Sequence, residues 1–290
     1  MNAGPTSHFY TSQRLRLHYV DWGTDGLEPL LMIHGGRDHC RNWDWVAARM
    51  RERYHVLAMD LRGHGDSAWA IGGAYTETSH IQDIAQLVHQ RIERPVTIMA
   101  HSLGALLALA YAGVFPEKVA RIVAIEGIPP ISMIEASEAD PVEARVRSWI
   151  EMRRDLSGKP HRRYPTFEDA VARMREANQH LSVAQAHHLT RHGAQQNEDG
   201  TYSWKFDPYA RFAGGPDGLS AAEQHHLWGR ITCPVLLVRG AESSFPDPAE
   251  DGRMALLDDA ALATIPGAGH WAHHDQLELF MAEVWRFLDS

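Results

Sequence analysis

Ser102 stands in Ala100-His101-Ser102-Leu103-Gly104, after the apolar run Val96–Met99 and before the helical run Ala105–Val114. A serine on a sharp strand-to-helix turn needs small neighbours, because the helix must pack close to the strand. Ala100 and Gly104 supply them, giving a nucleophile elbow with alanine at its first position. The plain alternative is a serine that N-caps a helix. His270 lies in Pro266-Gly267-Ala268-Gly269-His270-Trp271, after the last apolar run. A loop of this kind delivers an imidazole as general base to a serine earlier in the chain; the alternative is a surface histidine. Acyl transfer also needs two backbone N–H donors for the developing oxyanion. Leu103, next to the serine, supplies one, and Gly36 in His34-Gly35-Gly36 is the candidate for the other, unless Gly35-Gly36 is only a turn. These residues in this order predict a serine hydroxyl that attacks a carbonyl.

The elements that position them are legible as short apolar runs. Leu30–Ile33, Val56–Met59, Val96–Met99, Ile122–Ile125, Val235–Val238 and Leu262–Ile265 read as strands buried on both faces, and Arg14–Val20 alternates like an edge strand. Ile81, Ile84, Val88 and Ile92 mark one face of a helix, and a last helix is expected from Asp275 to Leu288, with Leu277, Phe280, Met281, Val284 and Leu288 inward. Alternating strands and helices predict an α/β fold with a mostly parallel sheet. The rhythm stops at Pro129-Pro130 and resumes at Cys233-Pro234. The stretch between them is polar and helical in pattern, without a convincing buried strand. The expected organisation is a core of residues 1–129 and 231–290 with a helical cap at 130–230. Asp60-Leu61-Arg62-Gly63-His64-Gly65-Asp66-Ser67 reads as a structural turn with no catalytic role.

HGG, DLRGHGDS, HSLG and PGAGHW, in this order, resemble the serine-type α/β-hydrolases over residues 14 to 128 and 231 to 288. The YPTFEDA, ANQHLS and DGTYSWKFDP segments resemble bacterial relatives of the serine hydrolase-like and kraken proteins. The resemblance implies an eight-stranded, mostly parallel sheet, Ser102 as nucleophile, His270 as base, and Gly36 and Leu103 as oxyanion donors. No cofactor and no metal are expected.

The acid departs from the commonest family pattern, which has Asp three residues after a Gly that follows the strand Val235–Val238. Here Gly240 is followed by Ala241-Glu242-Ser243, so that position holds Ser243. Glu242 is one residue early and Asp247 several late. Haloalkane dehalogenases and zearalenone-lactonase-like hydrolases carry a Glu at the end of the strand after the nucleophile helix, and Ile125-Glu126-Gly127 resembles them there. A carboxylate at the mouth of a buried strand is costly unless paired or solvated. Glu126 is therefore the preferred acid, with Glu242 second and Asp247 third.

The expected activity is hydrolysis of carboxylic esters of small, largely apolar compounds, with lactones or thioesters as variants. A serine nucleophile disfavours dehalogenation and epoxide opening, since the alkyl ether it would form cannot be hydrolysed. A cofactor-free oxygenase or perhydrolase and a ligand-binding receptor remain alternatives on the same residues. Trp149, Trp204, Phe206, Tyr209, Phe212 and Trp228 either line an apolar pocket or pack the cap onto the core. Arg145, Arg147, Arg153, Arg154, Arg162 and Arg163 either attract an anion or form a solvated helix face. Asp38, His39 and Trp43, after the oxyanion loop, are candidates to touch substrate.

Composition bounds the rest. With 28 Lys+Arg against 37 Asp+Glu the net charge is −9, which argues against a general nucleic-acid binder. Cys40 and Cys233 are too few for a disulfide framework. The N-terminal stretch lacks the apolar core of a signal peptide, so a cytoplasmic protein with no membrane partner, monomeric or homodimeric, is expected. The 19 histidines include the adjacent pairs His187-His188, His225-His226 and His273-His274. Neighbours one apart on a helix point in different directions, which is not metal-site spacing. Charging of the many exposed imidazoles near pH 6 is expected to offset much of the negative charge.

Overall fold

The computed structural model describes residues 4–157, 159–210 and 218–290. Strands β1 (Thr6–Ser12) and β2 (Leu15–Asp21) form an antiparallel hairpin whose turn residues, Gln13 and Arg14, have φ of 47° and 66°. Two successive left-handed residues form the type of turn whose twist matches that of the strands. Alternation in the sequence predicts one edge strand at Arg14–Val20. The structure instead places Arg14 in the turn and β1 outside β2, because Thr6–Ser12 carries too few apolar residues to stand out by alternation.

The chain continues through β3 (Glu28–Ile33), α1 (Asp44–Met50), β4 (Tyr54–Met59), α2 (Glu77–Arg91), β5 (Val96–His101), α3 (Leu103–Val114) and β6 (Val119–Ile125). Between β6 and the next core strand lie α4 (Ile131–Glu138), α5 (Val142–Ser157), α6 (Phe167–Ala177), α7 (Val183–Gly193) and α8 (Ala221–Trp228). Reciprocal capping boxes, Thr166 with Asp169, Ser182 with Gln185 and Ser220 with Glu223, start α6, α7 and α8. The segment also contains an antiparallel pair, β7 (Ala194–Gln196) and β8 (Tyr202–Trp204), with Ser203 buried. Only Ala194 and Ser203 of these six residues are buried, and three-residue strands are too short to show a period. The core resumes with β9 (Val235–Gly240) and β10 (Ala260–Ile265), then a short α9 (Ala272–Asp275) and α10 (Leu277–Leu288). The expected single last helix is thus broken at Gln276, whose φ and ψ are −139° and 60°.

The main sheet has eight strands in the order β1-β2-β4-β3-β5-β6-β9-β10, parallel from β4 onward. Its inner strands bury both faces. One face packs α2, α3 and Trp228 of α8, the other α1 and the Phe280, Met281, Val284 and Leu288 face of α10. Nucleophile, acid and base candidates all stand where parallel strands β5, β6 and β10 end, at one edge of the sheet. Among the described residues no helix is long and apolar enough to cross a membrane.

Candidate active site

Ser102 sits between β5 and α3 at φ 52° and ψ −120°, a strained conformation for a residue with a side chain. Its N–H donates to Ile125 O at 2.8 Å, tying the turn to the neighbouring strand. Its side chain makes no capping bond to α3, so the N-cap alternative does not hold. Gly104 is required by proximity: a Cβ there would lie 2.5 Å from both Ile33 O and His34 O.

As the first residue of α3, Leu103 has an N–H with no intrahelical acceptor. The glycine loop after β3 lies against it. A Cβ at Gly35 would lie 3.2 Å from Ser102 Cβ, and one at Gly36 would lie 3.8 Å from Leu103 Cδ2. His34 anchors this loop. Its Nε2 accepts from Leu61 N–H at 3.0 Å, so Nδ1 carries the proton and donates to Gly35 O at 2.6 Å. Burial holds the imidazole neutral, with its pKa lowered to about 3.

His270 lies in the loop between β10 and α9. Gly269 N–H donates to Asp275 Oδ2 at 2.9 Å, and His101 Nε2 lies 2.8 Å from His270 O, so the backbone is held on both sides of the ring. The ring is walled by Trp271, Phe245 and His101. Glu126 follows β6 at φ 52°, and its side chain is 1% exposed. Gly240 N–H donates to Oε1 at 2.8 Å and the Ser243 hydroxyl to Oε2 at 2.7 Å. Glu126 Oε2 is 3.6 Å from His270 Nδ1. The other two carboxylates lie elsewhere: Glu242 is exposed beside His180 at 3.5 Å, and Asp247 pairs with Arg239 at 3.2 Å.

Residues without a sequence signal complete the frame. Arg253, 2% exposed, donates from Nη2 to Pro246 O at 2.5 Å and from Nη1 to Ile128 O, joining the loop of Ser243 to the chain just after Glu126. Ser243 itself is marked only as a missing acid. Behind the oxyanion loop, Asp60 takes Cys40 N–H at 2.6 Å, Asp66 N–H at 2.9 Å and His18 Nδ1 at 2.6 Å. These bonds hold the carboxylate well below its usual range despite burial and make Asp60–Ser67 a structural turn.

Several expectations are corrected. Trp43 is fully buried and stacks on His273, and His39 is buried with Nε2 on Leu189 O, so neither faces a substrate. Asp38 bonds His39 N–H and Asn42, and burial raises its pKa to about 7. Trp228 packs into the core. Arg153 lies over the rings of Trp149 and Tyr209, and Trp204 stacks with Phe206; Phe212 lies outside the described residues. Of the arginine cluster, Arg162 covers Tyr164 and Arg163 pairs with Asp199. The buried histidines take no part in such charging. Burial lowers His274 to about 3 and His39 to about 4, and holds His64, His80, His101 and His273 below the usual range.

A profile of the alpha/beta hydrolase family matches residues 30–283. The chain belongs to the alpha/beta hydrolase family. Among its relatives is the esterase Rv0045c of Mycobacterium tuberculosis, 26% identical over 99% of this chain and 91% of that one. The 2-(acetamidomethylene)succinate hydrolase of Mesorhizobium japonicum is 26% identical over 96% and 93%. Among solved structures, a thioesterase domain from the curacin biosynthetic pathway superposes with a TM-score of 0.85 at 23% identity, covering 98% of this alpha/beta hydrolase and all of that chain.

Proposed function

We propose that this alpha/beta hydrolase cleaves carboxylic esters of small, largely apolar compounds through an acyl-enzyme, with lactones or thioesters as variants. The observation that carries the reading is the buried Glu126 carboxylate beside His270 Nδ1, on the same sheet edge as a serine in a strained elbow. Glu126 keeps the Nδ1–H tautomer of His270 and leaves Nε2 as base. His270 takes the Ser102 proton while Oγ bonds the ester carbon, and the N–H groups of Leu103 and Gly36 receive the oxyanion. The C–O bond to the alcohol then breaks, and His270 returns the proton to the leaving oxygen. Water, deprotonated by His270, attacks the acyl carbon; the bond to Ser102 Oγ then breaks, His270 returns the proton to Oγ, and the acid leaves. Segment 130–230 serves as a cap over this edge and sets which acyl and alcohol groups enter. The relatives named as an esterase and a thioesterase domain carry acyl-transfer names, which agrees with this chemistry.

A fluorophosphonate probe tests the reading directly. It is expected to label the wild type and not Ser102→Ala, with p-nitrophenyl ester turnover lost in parallel. Equal labelling of both proteins would refute it.

A further inference from the structure

Adjacent histidine pairs diverge on a helix, but His188 has a second partner four residues on. His188 and His192 share one face of α7, and their ring centroids are 4.7 Å apart. Asp44, the first residue of α1, faces them from the core. Its Oδ2 is 2.9 Å from His188 Nε2, with the ring N–H out of line for a hydrogen bond. One ligand atom from each of the three lies within 4.8 Å of the other two.

We propose that Asp44, His188 and His192 bind a divalent transition-metal ion of the zinc, nickel or copper kind, which ties α7 to the start of α1. Two imidazoles with one carboxylate form a donor set that suits these ions better than magnesium or calcium, which favour oxygen ligands throughout. Water fills the remaining coordination position. Asp44 is nearly buried and the two histidines are partly so, and Trp45 packs edge-on against His188 at 4.7 Å, which limits the ring's freedom before the ion arrives.

Arg41 is the charged neighbour that sets the affinity. Its Nε reaches Asp44 Oδ1 and Oδ2 at 2.8 and 2.9 Å and its Nη2 reaches Oδ2 at 2.6 Å, while Nη1 is 3.5 Å from His192 Nδ1. The guanidinium aims the carboxylate toward α7 and shares Oδ2 with the ion, so binding is weaker than at a closed four-ligand site. The other candidate triplet, His18, Cys40 and Asp60, differs in kind: Asp60 is already saturated by hydrogen bonds and all three residues are buried.

The test uses EDTA-stripped protein carrying His270→Ala, so that the candidate catalytic imidazole cannot contribute. Titration with zinc chloride is expected to show one ion per chain by calorimetry. It should also raise Tm by about 5 °C at a hundredfold excess over Kd. Both effects should vanish when either His188→Ala or His192→Gln is added. The two substitutions guard against one variant failing to fold, and each metal-free Tm reports folding separately. Absence of zinc binding in the His270→Ala background, or binding that survives either α7 substitution, overturns the proposal.

Discussion

The Ser243 hydroxyl donates to Glu126 Oε2 at 2.7 Å, so the position where the commonest family pattern has its acid here orients an acid from another strand. With Gly240 N–H on Oε1 at 2.8 Å, both carboxylate oxygens are fixed, and Oε2 is left facing His270. A buried carboxylate held this way has its charge satisfied without losing its contact with the imidazole.

Glu126→Gln is expected to lower kcat on the order of 10⁴-fold, the size seen when a triad carboxylate becomes an amide. Glu242→Gln, exposed beside His180, should stay within a few-fold of wild type. Ester turnover of the two variants side by side decides the matter; a loss confined to Glu242→Gln would remove Glu126 from the mechanism.

Ser243→Ala removes one of the two bonds that orient Glu126. A hydrogen bond to a charged group contributes about 1.5–3 kcal/mol, and Gly240 N–H remains, so kcat should fall by about tenfold with KM little changed. Ser243→Thr, which keeps the hydroxyl, should restore most of the rate. If Ser243→Ala raised KM alone, the hydroxyl would be a substrate contact instead.

Gly104→Ala drives a methyl group to 2.5 Å from two backbone carbonyl oxygens, Ile33 O and His34 O, which cannot swing aside. The cost is about 1–3 kcal/mol, read as a lowered Tm. Gly36→Ala meets only the Leu103 side chain, at 3.8 Å and beyond, and should leave Tm close to wild type. Thermal melts of the two variants check the contrast.

Stability should fall as pH drops from about 6.5 toward 4. His34 and His274, with pKa lowered to about 3, and His39, lowered to about 4, stay neutral in the fold, while their unfolded counterparts take a proton below about 6.5. The unfolded state then binds more protons, so their contribution is complete above that pH and is lost below it, at most about 2 kcal/mol each at pH 5. Asp38 and Glu77, both raised to about 7, act in the opposite sense over the same range. The histidines outnumber them, so Tm measured from pH 7 to pH 5 should decline. A Tm that rises on acidification would show that the two carboxyls dominate.

Much of the architecture is legible without coordinates because it rests on local signals. Strands buried on both faces appear as unbroken apolar runs, and the elbow needs small residues within two positions of Ser102. The hairpin strand β1 and the short pair β7–β8 escaped, since polar or three-residue strands carry no period.

The sequence alone was enough for the α/β core, for Ser102 and His270 in their loops, and for a shortlist of three carboxylates. It left open which carboxylate meets the imidazole, because Glu126 is turned toward His270 by groups such as Gly240 N–H, 114 residues further along the chain. It was equally silent on Arg253, which joins Ile128 to Pro246, and on Asp44 meeting His188 and His192. Backbone pattern and neighbour size are written within a few residues, whereas a buried charge is satisfied by whichever distant groups folding brings to it.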